Sequence, residues 1–210
     1  MSDVSLQTIV LASASPRRRE LLAALDVPFE VDAANVDESS DEQDVARLVE
    51  GLALRKARAV AERRPGASVL AADTIVVLDG RVLGKPASSA EATAMLAALR
   101  DRTHEVLTGI AVLRGARSAA DHVRSEVRMR AYADDEVARY VERGEPFDKA
   151  GGYAIQDAEF RPGSVKGCEC AVVGLPLWTT RRLLRAAAAL SVAPPAIERC
   201  GRCPLAEPPR

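Results

Sequence analysis

Histidine is almost missing from this chain, with only His104 and His122 in 210 residues. That scarcity argues against a His-rich zinc centre and against a Ser-His-Asp triad. No HExxH, GxSxG or GxGxxG motif occurs, so zinc-peptidase, α/β-hydrolase and dinucleotide-binding signatures are all lacking. A run of about 18 apolar residues, the minimum for a membrane-spanning helix, is absent too. The opening MSDVSLQTIVLASASPRRR has no basic segment ahead of a sustained apolar one, which argues against a signal peptide and leaves the cytoplasm as the expected compartment. Cysteine does not occur before position 168, and its four copies sit in two close pairs near the C-terminus. Disulfide-stapled secreted domains spread their cysteines more widely. The formal net charge is -1. No global basic field therefore recruits nucleic acid, and any anion site has to be a local cluster.

What is present reads as an ordinary globular chain, 48% hydrophobic and 28% charged, long enough for one well-buried core. Gln7–Leu11 reads as a short buried strand, and Pro16 suits the first turn of a helix running to about Leu25. Phe29–Asp32 reads as a second strand, followed by a polar, acidic loop from Asn35 to Asp44. Val45, Leu48, Val49, Leu52 and Ala53 recur at helical spacing. Ser68–Ala72 and Ile75–Leu78 read as strand, and Asp79-Gly80 as a hairpin turn leading to Arg81–Leu83. Ser88 with Glu91 forms a capping box for a helix to about Arg100. Glu105–Leu113 and His122–Arg130 read as a strand pair, Asp134–Arg143 and Leu177–Leu190 as helices. Strands and helices alternate, so the expected class is α/β or mixed α+β. From Ser191 onward five prolines and no periodic apolar face mark a tail.

Several clusters carry chemistry. Ser13-Ala14-Ser15-Pro16-Arg17-Arg18-Arg19 lies between a strand and a helix, either a solvated basic helix start or a site where helix-start amides attract anions and arginine forks match phosphate oxygens. Arginine there opposes the helix dipole, a choice that stability alone does not make. Lys56 falls on the apolar face of its helix, either snorkelling past the core edge or pointing into a polar pocket. Asp73 ends the apolar run Val69–Ala72, placed to hold a metal ion or activate water, or simply to form a turn. Gly80-Arg-Val-Leu-Gly84-Lys85-Pro86 imitates a phosphate loop, but the glycine spacing is short by one and proline replaces the required Ser or Thr. In Asp148-Lys149-Ala150-Gly151-Gly152, paired glycines beside a lysine would let backbone approach a ligand closely, or simply form an ordinary loop.

Taken in order, LASASPRR from Leu11, Val36-Asp37-Glu38, Leu54-Arg55-Lys56-Ala57, Ala72-Asp73-Thr74, Gly84-Lys85-Pro86, DKAGGYAIQ from Asp148 to Gln156, and Val173-Gly-Leu-Pro-Leu177 closely resemble the Maf family of nucleotide pyrophosphatases. The resemblance spans about residues 8 to 190, giving a Maf-like domain over 1–190 and a Pro/Cys-containing tail over 191–210. It implies an elongated mixed sheet flanked by helices in two lobes around a central cleft, related to the inosine-triphosphate pyrophosphatases. It implies hydrolysis of a nucleoside triphosphate to the monophosphate and pyrophosphate, a house-cleaning role with a link to cell-division arrest, and a homodimer. Asp73 then matches the general base, with Glu38 as a second acid helping to hold Mg²⁺ or Mn²⁺. Ser13, Arg18, Lys56 and Lys85 match the phosphate-binding side chains, joined by Lys149. Arg17, Thr74 and Gln156 match the branch that prefers dTTP and UTP, with CTP and modified pyrimidines left open. The branch acting on 7-methyl-GTP carries an aromatic residue at the first position and Asp-Gln at the Asp73-Thr74 pair. The chain departs from the family pattern over Asp157–Cys170. The competing reading is a regulatory, septum-associated binding protein without significant catalysis.

Cys168 and Cys170 form C-x-C, and Cys200 and Cys203 form C-x₂-C. Four thiolates would suit tetrahedral zinc and would pin the tail to the loop before Val172. The alternative is four unrelated thiols with a redox role or none.

Overall fold

The computed structural model describes residues 8–158 and 160–207. Its centre is a seven-stranded mixed sheet, β1 (Ile9–Leu11), β2 (Phe29–Val31), β3 (Ser68–Leu78), β4 (Arg81–Leu83), β5 (Thr103–Arg114), β6 (Arg117–Arg128) and β7 (Ser164–Lys166). The order is β2-β1-β3-β5-β6-β7, with β4 on β3. β1 runs parallel to β2 and β3, and the other pairings are antiparallel. The helices are α1 (Pro16–Ala23), α2 (Val45–Arg63), α3 (Ser89–Leu99), α4 (Asp134–Glu142), α5 (Glu169–Val173), α6 (Leu177–Ala188) and α7 (Glu198–Gly201).

Local signals start the principal helices. Ser15 caps α1 by accepting from the Arg18 amide, with Pro16 in the first turn. Asp44 caps α2 through the Ala46 and Arg47 amides, and Ser88 caps α3 through the Glu91 amide. Each side chain satisfies a helix-start N–H that has no partner within the helix.

β3 organises the core through the two-residue period of a strand. Val69, Ala71, Ile75 and Val77 face α2, whose Val49, Leu52, Ala53, Ala57 and Val60 are buried against that side. Leu70 and Ala72 face the opposite side, under α1, α5 and α6. Val76 and Leu78 continue that face into a separate cluster with α3 and α4, built around Tyr140 and Phe160. The two clusters divide at Thr74, and the expected two lobes are the packing on either side of it. α2 lies close on the sheet at Gly109, where a Cβ would stand 2.2 Å from the Val49 carbonyl oxygen. No larger residue fits that contact.

Several expectations need correction. Asp73 was expected at a strand end, yet β3 runs unbroken through it, because β5 pairs with every residue from Val69 to Val77. The β5–β6 hairpin extends to a tight turn at Gly115, longer than the apolar stretches that predicted it, because ladder hydrogen bonds carry Arg117, Ser118 and Asp121 along with the small Ala119 and Ala120. The divergent segment 157–170 contains β7 and the start of α5. The first strand begins at Ile9, and Gln7 lies outside the described residues. Residues 191–207 fold back onto α6, where the Arg181 guanidinium donates to the Val192 carbonyl at 2.8 Å and the Trp178 indole to the Cys200 carbonyl at 3.0 Å. No helix among the described residues is long and apolar enough to cross a membrane.

Candidate active site

The cleft originates in an interruption of the sheet. β1 pairs with β3 only over Ser68–Leu70, and β4 takes up the same edge at Val76–Leu78. Among the described strands none pairs with residues 71–75 on that side. The last tie is the Ala12 amide, which donates to the Leu70 carbonyl at 2.8 Å. The chain then turns away through Ser13 into α1, and the opening becomes a cleft of about 760 Å³. That volume lies within the range of small-molecule sites. All ten cleft residues nominated from the sequence line it.

Because the cleft wraps a strand edge, it reaches both faces of β3. Asp73 projects toward α2 and is 6% exposed. Lys56, between Ala53 and Ala57 on the buried side of α2, meets it at 2.5 Å from Nζ to Oδ1. The same ammonium reaches Glu38 Oε1 at 2.7 Å, so one cation holds two carboxylates from separate segments. Lys56 thus points into a polar pocket and does not snorkel past the core edge. Burial pushes the Glu38 carboxyl upward, and the hydrogen bond and charge of Lys56, with Lys85 and Arg18, outweigh it and leave the pKa below the ordinary glutamate value. Glu38 is therefore an anion at neutral pH.

On the other face Thr74 anchors a chain of polar contacts. Arg18 donates through Nε to the Gly174 carbonyl at 2.9 Å, and its terminal nitrogens reach Ser13 Oγ at 3.1 Å and Thr74 Oγ1 at 3.2 Å. Thr74 Oγ1 also lies 3.0 Å from Thr108 Oγ1, which donates to the Ala171 carbonyl at 2.7 Å. Burial lowers the Arg18 pKa, opposed by Asp73 and Glu38 and reinforced by Arg17. An arginine remains charged in any protein setting, so a full positive charge is fixed beneath the cleft.

The rim is built differently. Arg17 bridges to Asp148 at 2.9 Å, tying α1 to the loop that carries the paired glycines. Lys149 binds Asp148 at 2.7 Å and Glu145 through both its carboxylate and its carbonyl. Burial raises the Asp148 carboxyl, and the hydrogen bonds and charges of Lys149 and Arg17 bring it below the usual aspartate value. Lys85 is solvent-exposed after β4, and Gln156 lines the opening near Ile155. Gly151 holds φ at 72°, and a Cβ there would stand 3.1 Å from the Val76 methyl groups. Tyr153 forms the cleft wall and binds His104 Nε2 through its hydroxyl at 2.6 Å.

Sequence reasoning missed Asp148, Thr108 and Gly174 as parts of the site. Asp148 had a signal, an acid directly before Lys149. Gly174 stood inside the Val173–Leu177 motif, whereas Thr108 acts through partners far away in the chain and left none. The structure also groups Glu50, Asp121 and His122, whose ligand atoms lie within 4.8 Å of one another. None of the three lines the cleft.

Fold and site define an α/β protein with a cation-ringed cleft over a buried carboxylate. The sequence model of the Maf-like protein family matches residues 8–187, and the chain belongs to that family. A protein of Thermomicrobium roseum named dTTP/UTP pyrophosphatase is 53% identical over 207 residues, covering 95% of this chain and 94% of that relative. A Symbiobacterium thermophilum protein of the same name is 51% identical, covering 85% of this chain and 93% of its own length. Among solved structures, the Staphylococcus aureus Ham1 protein aligns with a TM-score of 0.42 at 19% identity, over 60% of this chain and 72% of that one.

Proposed function

We propose that this chain is a nucleoside-triphosphate pyrophosphatase that hydrolyses dTTP and UTP to the monophosphate and pyrophosphate. The observation that carries the reading is Lys56, buried and bonded to both Asp73 and Glu38 at the bottom of a cleft ringed by Arg17, Arg18, Lys85 and Lys149. Two relatives that share about half of this sequence are named for that activity.

The residues divide the work. Asp73 is the base that takes a proton from the attacking water. Lys56 holds that carboxylate in place and lends positive charge where the phosphates gather. Arg18, fixed by three acceptors, presents charge without needing to reorganise, which is how preorganised sites stabilise developing anions. The helix-start amides of α1 add to it. Glu38 and Asp73 suit a hard divalent cation, since both carboxylates approach one point, now marked by the Lys56 ammonium, and oxygen donors are what Mg²⁺ or Mn²⁺ takes. When bound, such an ion neutralises phosphate charge and polarises the phosphoryl group. Gln156 can both donate to and accept from a pyrimidine edge. The reaction belongs in the cytoplasm, where nucleoside triphosphates are made and used.

A septum-associated protein that only binds is not favoured. Burying Lys56 against Asp73 removes both charges from water at a cost that a docking surface has no reason to bear. The test is product analysis with UTP and dTTP in Mg²⁺. Pyrophosphate with the monophosphate is expected, and EDTA should abolish its release. Orthophosphate with the diphosphate, or no turnover of any pyrimidine nucleotide, overturns the proposal.

A further inference from the structure

Away from the cleft, the fold collects every cysteine of the chain at one point. Cys168 and Cys170 open α5, Cys200 lies in α7 and Cys203 just after it, all buried. Cys170 Sγ and Cys200 Sγ are 3.6 Å apart, with no disulfide formed. Cys168 and Cys203 lie in the same buried cluster. The four cysteines therefore join two segments about thirty residues apart in sequence. Zinc–thiolate bonds of about 2.3 Å set the edge of a tetrahedral sulfur cage at roughly 3.8 Å. The Cys170–Cys200 contact is already close to that length, and no three of the four sulfurs lie within 4.8 Å of one another, so the other two must draw in as the ion binds.

The plain reading of buried cysteines is small apolar filling. One observation goes further. Residues 191–207 bury only Val192, Pro195, Cys200 and Cys203. So few contacts are little to set against the entropy lost in ordering that stretch. A metal ion would supply the missing stabilisation, as it does in small domains that lack a core of their own.

We propose that Cys168, Cys170, Cys200 and Cys203 bind one structural Zn²⁺ that fastens the C-terminal segment to α5. Four sulfur donors in a closed cage favour zinc over the oxygen-loving ion of the cleft and leave no open position for chemistry. Arg199, whose charge acts on Cys200, offsets part of the excess negative charge. The site also supports the cleft from behind. α5 supplies the Ala171 carbonyl that Thr108 binds, and the next residue after it, Gly174, supplies the carbonyl that Arg18 binds.

The test uses the untagged full-length protein, free of any histidine tag, analysed for metals by mass spectrometry alongside thiol titration. About one zinc per chain is expected, with thiols that react only after denaturation and chelation. Replacement by Co²⁺ should give the charge-transfer absorption of cobalt–thiolate bonds. Stripping zinc should lower the Tm by roughly 10 °C. C200S and C203S should each reduce the zinc content severalfold, and should they fail to fold, the wild-type metal and thiol content decides alone. Less than about a tenth of an equivalent of zinc, an occupancy too low for a folding role, overturns the proposal if all four thiols react freely. So does iron in place of zinc, or a Cys170–Cys200 disulfide in protein prepared without oxidant. None of these results depends on nucleotide turnover.

Discussion

On the floor of the cleft Lys56 and Asp73 are more than nine-tenths buried and bonded to one another, whereas at its rim Lys85 stands in solvent and the Asp148 side chain is 58% exposed. Floor groups come from α2 and the middle of β3, elements fixed by the core on both sides. Most rim groups come from loops, and Arg17, Asp148 and Lys149 hold their positions by pairing with each other. The difference separates two tasks. A base and its cation need a single geometry, and burial enforces it. Recognition of one base among several tolerates adjustment, and loops can be exchanged without disturbing the sheet.

The strongest way to sharpen this contrast is Asp73→Asn. The amide keeps the shape but cannot take a proton, so kcat should fall about 10²- to 10⁴-fold while circular dichroism stays that of the wild type. Pyrophosphate release at near wild-type rate would remove Asp73 from the chemistry.

Lys56→Met tests whether the floor is electrostatically closed. It leaves the Asp73 carboxylate buried without its cation, a loss of roughly 3–5 kcal/mol by urea denaturation. Adding Asp73→Asn should restore part of that loss, since the stranded charge is gone. If the two losses simply add, the pair is not coupled and the contrast with the rim fails.

A third experiment asks what holds the wall between them. His104 is buried against Tyr153, its Nδ1 finds no partner among the described residues, and burial lowers its pKa from 6.5 to about 4. With the folded value below the unfolded one, the unfolded chain binds more protons between those two limits. Stability is therefore fully present above pH 6.5 and is lost as the pH falls toward 4, by on the order of 2–3 kcal/mol. His104→Gln should flatten that dependence in urea midpoints measured across the window. An unaltered slope would assign the acid sensitivity to other groups.

The smallest effects belong at the rim. Gln156→Glu should lower pyrimidine use by about tenfold with a change in stability under about 0.5 kcal/mol. The ranking of a nucleotide panel is the readout, and an unchanged ranking would remove Gln156 from recognition.

Much of this was legible before the structure, but unevenly. The α1 and α3 starts were readable because Pro16 and the Ser88–Glu91 pair are local signals, and α2 because its apolar residues keep a helical period. The Ser15 and Asp44 caps emerged only in the structure. Lys56 stood out because a charge at an apolar position of a periodic helix needs a reason. Asp73 was chosen correctly as a cleft residue and placed wrongly at a strand end, because a polar pair inside an apolar run resembles a turn. Only the pairing with β5, set by residues 30 to 40 positions away, carries the strand through it. The short β7, α5 and α7 have no period of their own to detect. They exist because the sheet edge, Ser125 and the cysteines give them somewhere to attach.

The interruption on the edge of β3 has one further consequence. A bare strand edge invites other chains to add to it, and most proteins blunt or hide theirs. Here the bare stretch lies inside the molecule, closed at one end by β1 and at the other by β4. On the proposed function that opening is where the nucleotide enters, while a stretch closed at both ends offers another strand too few rungs to extend.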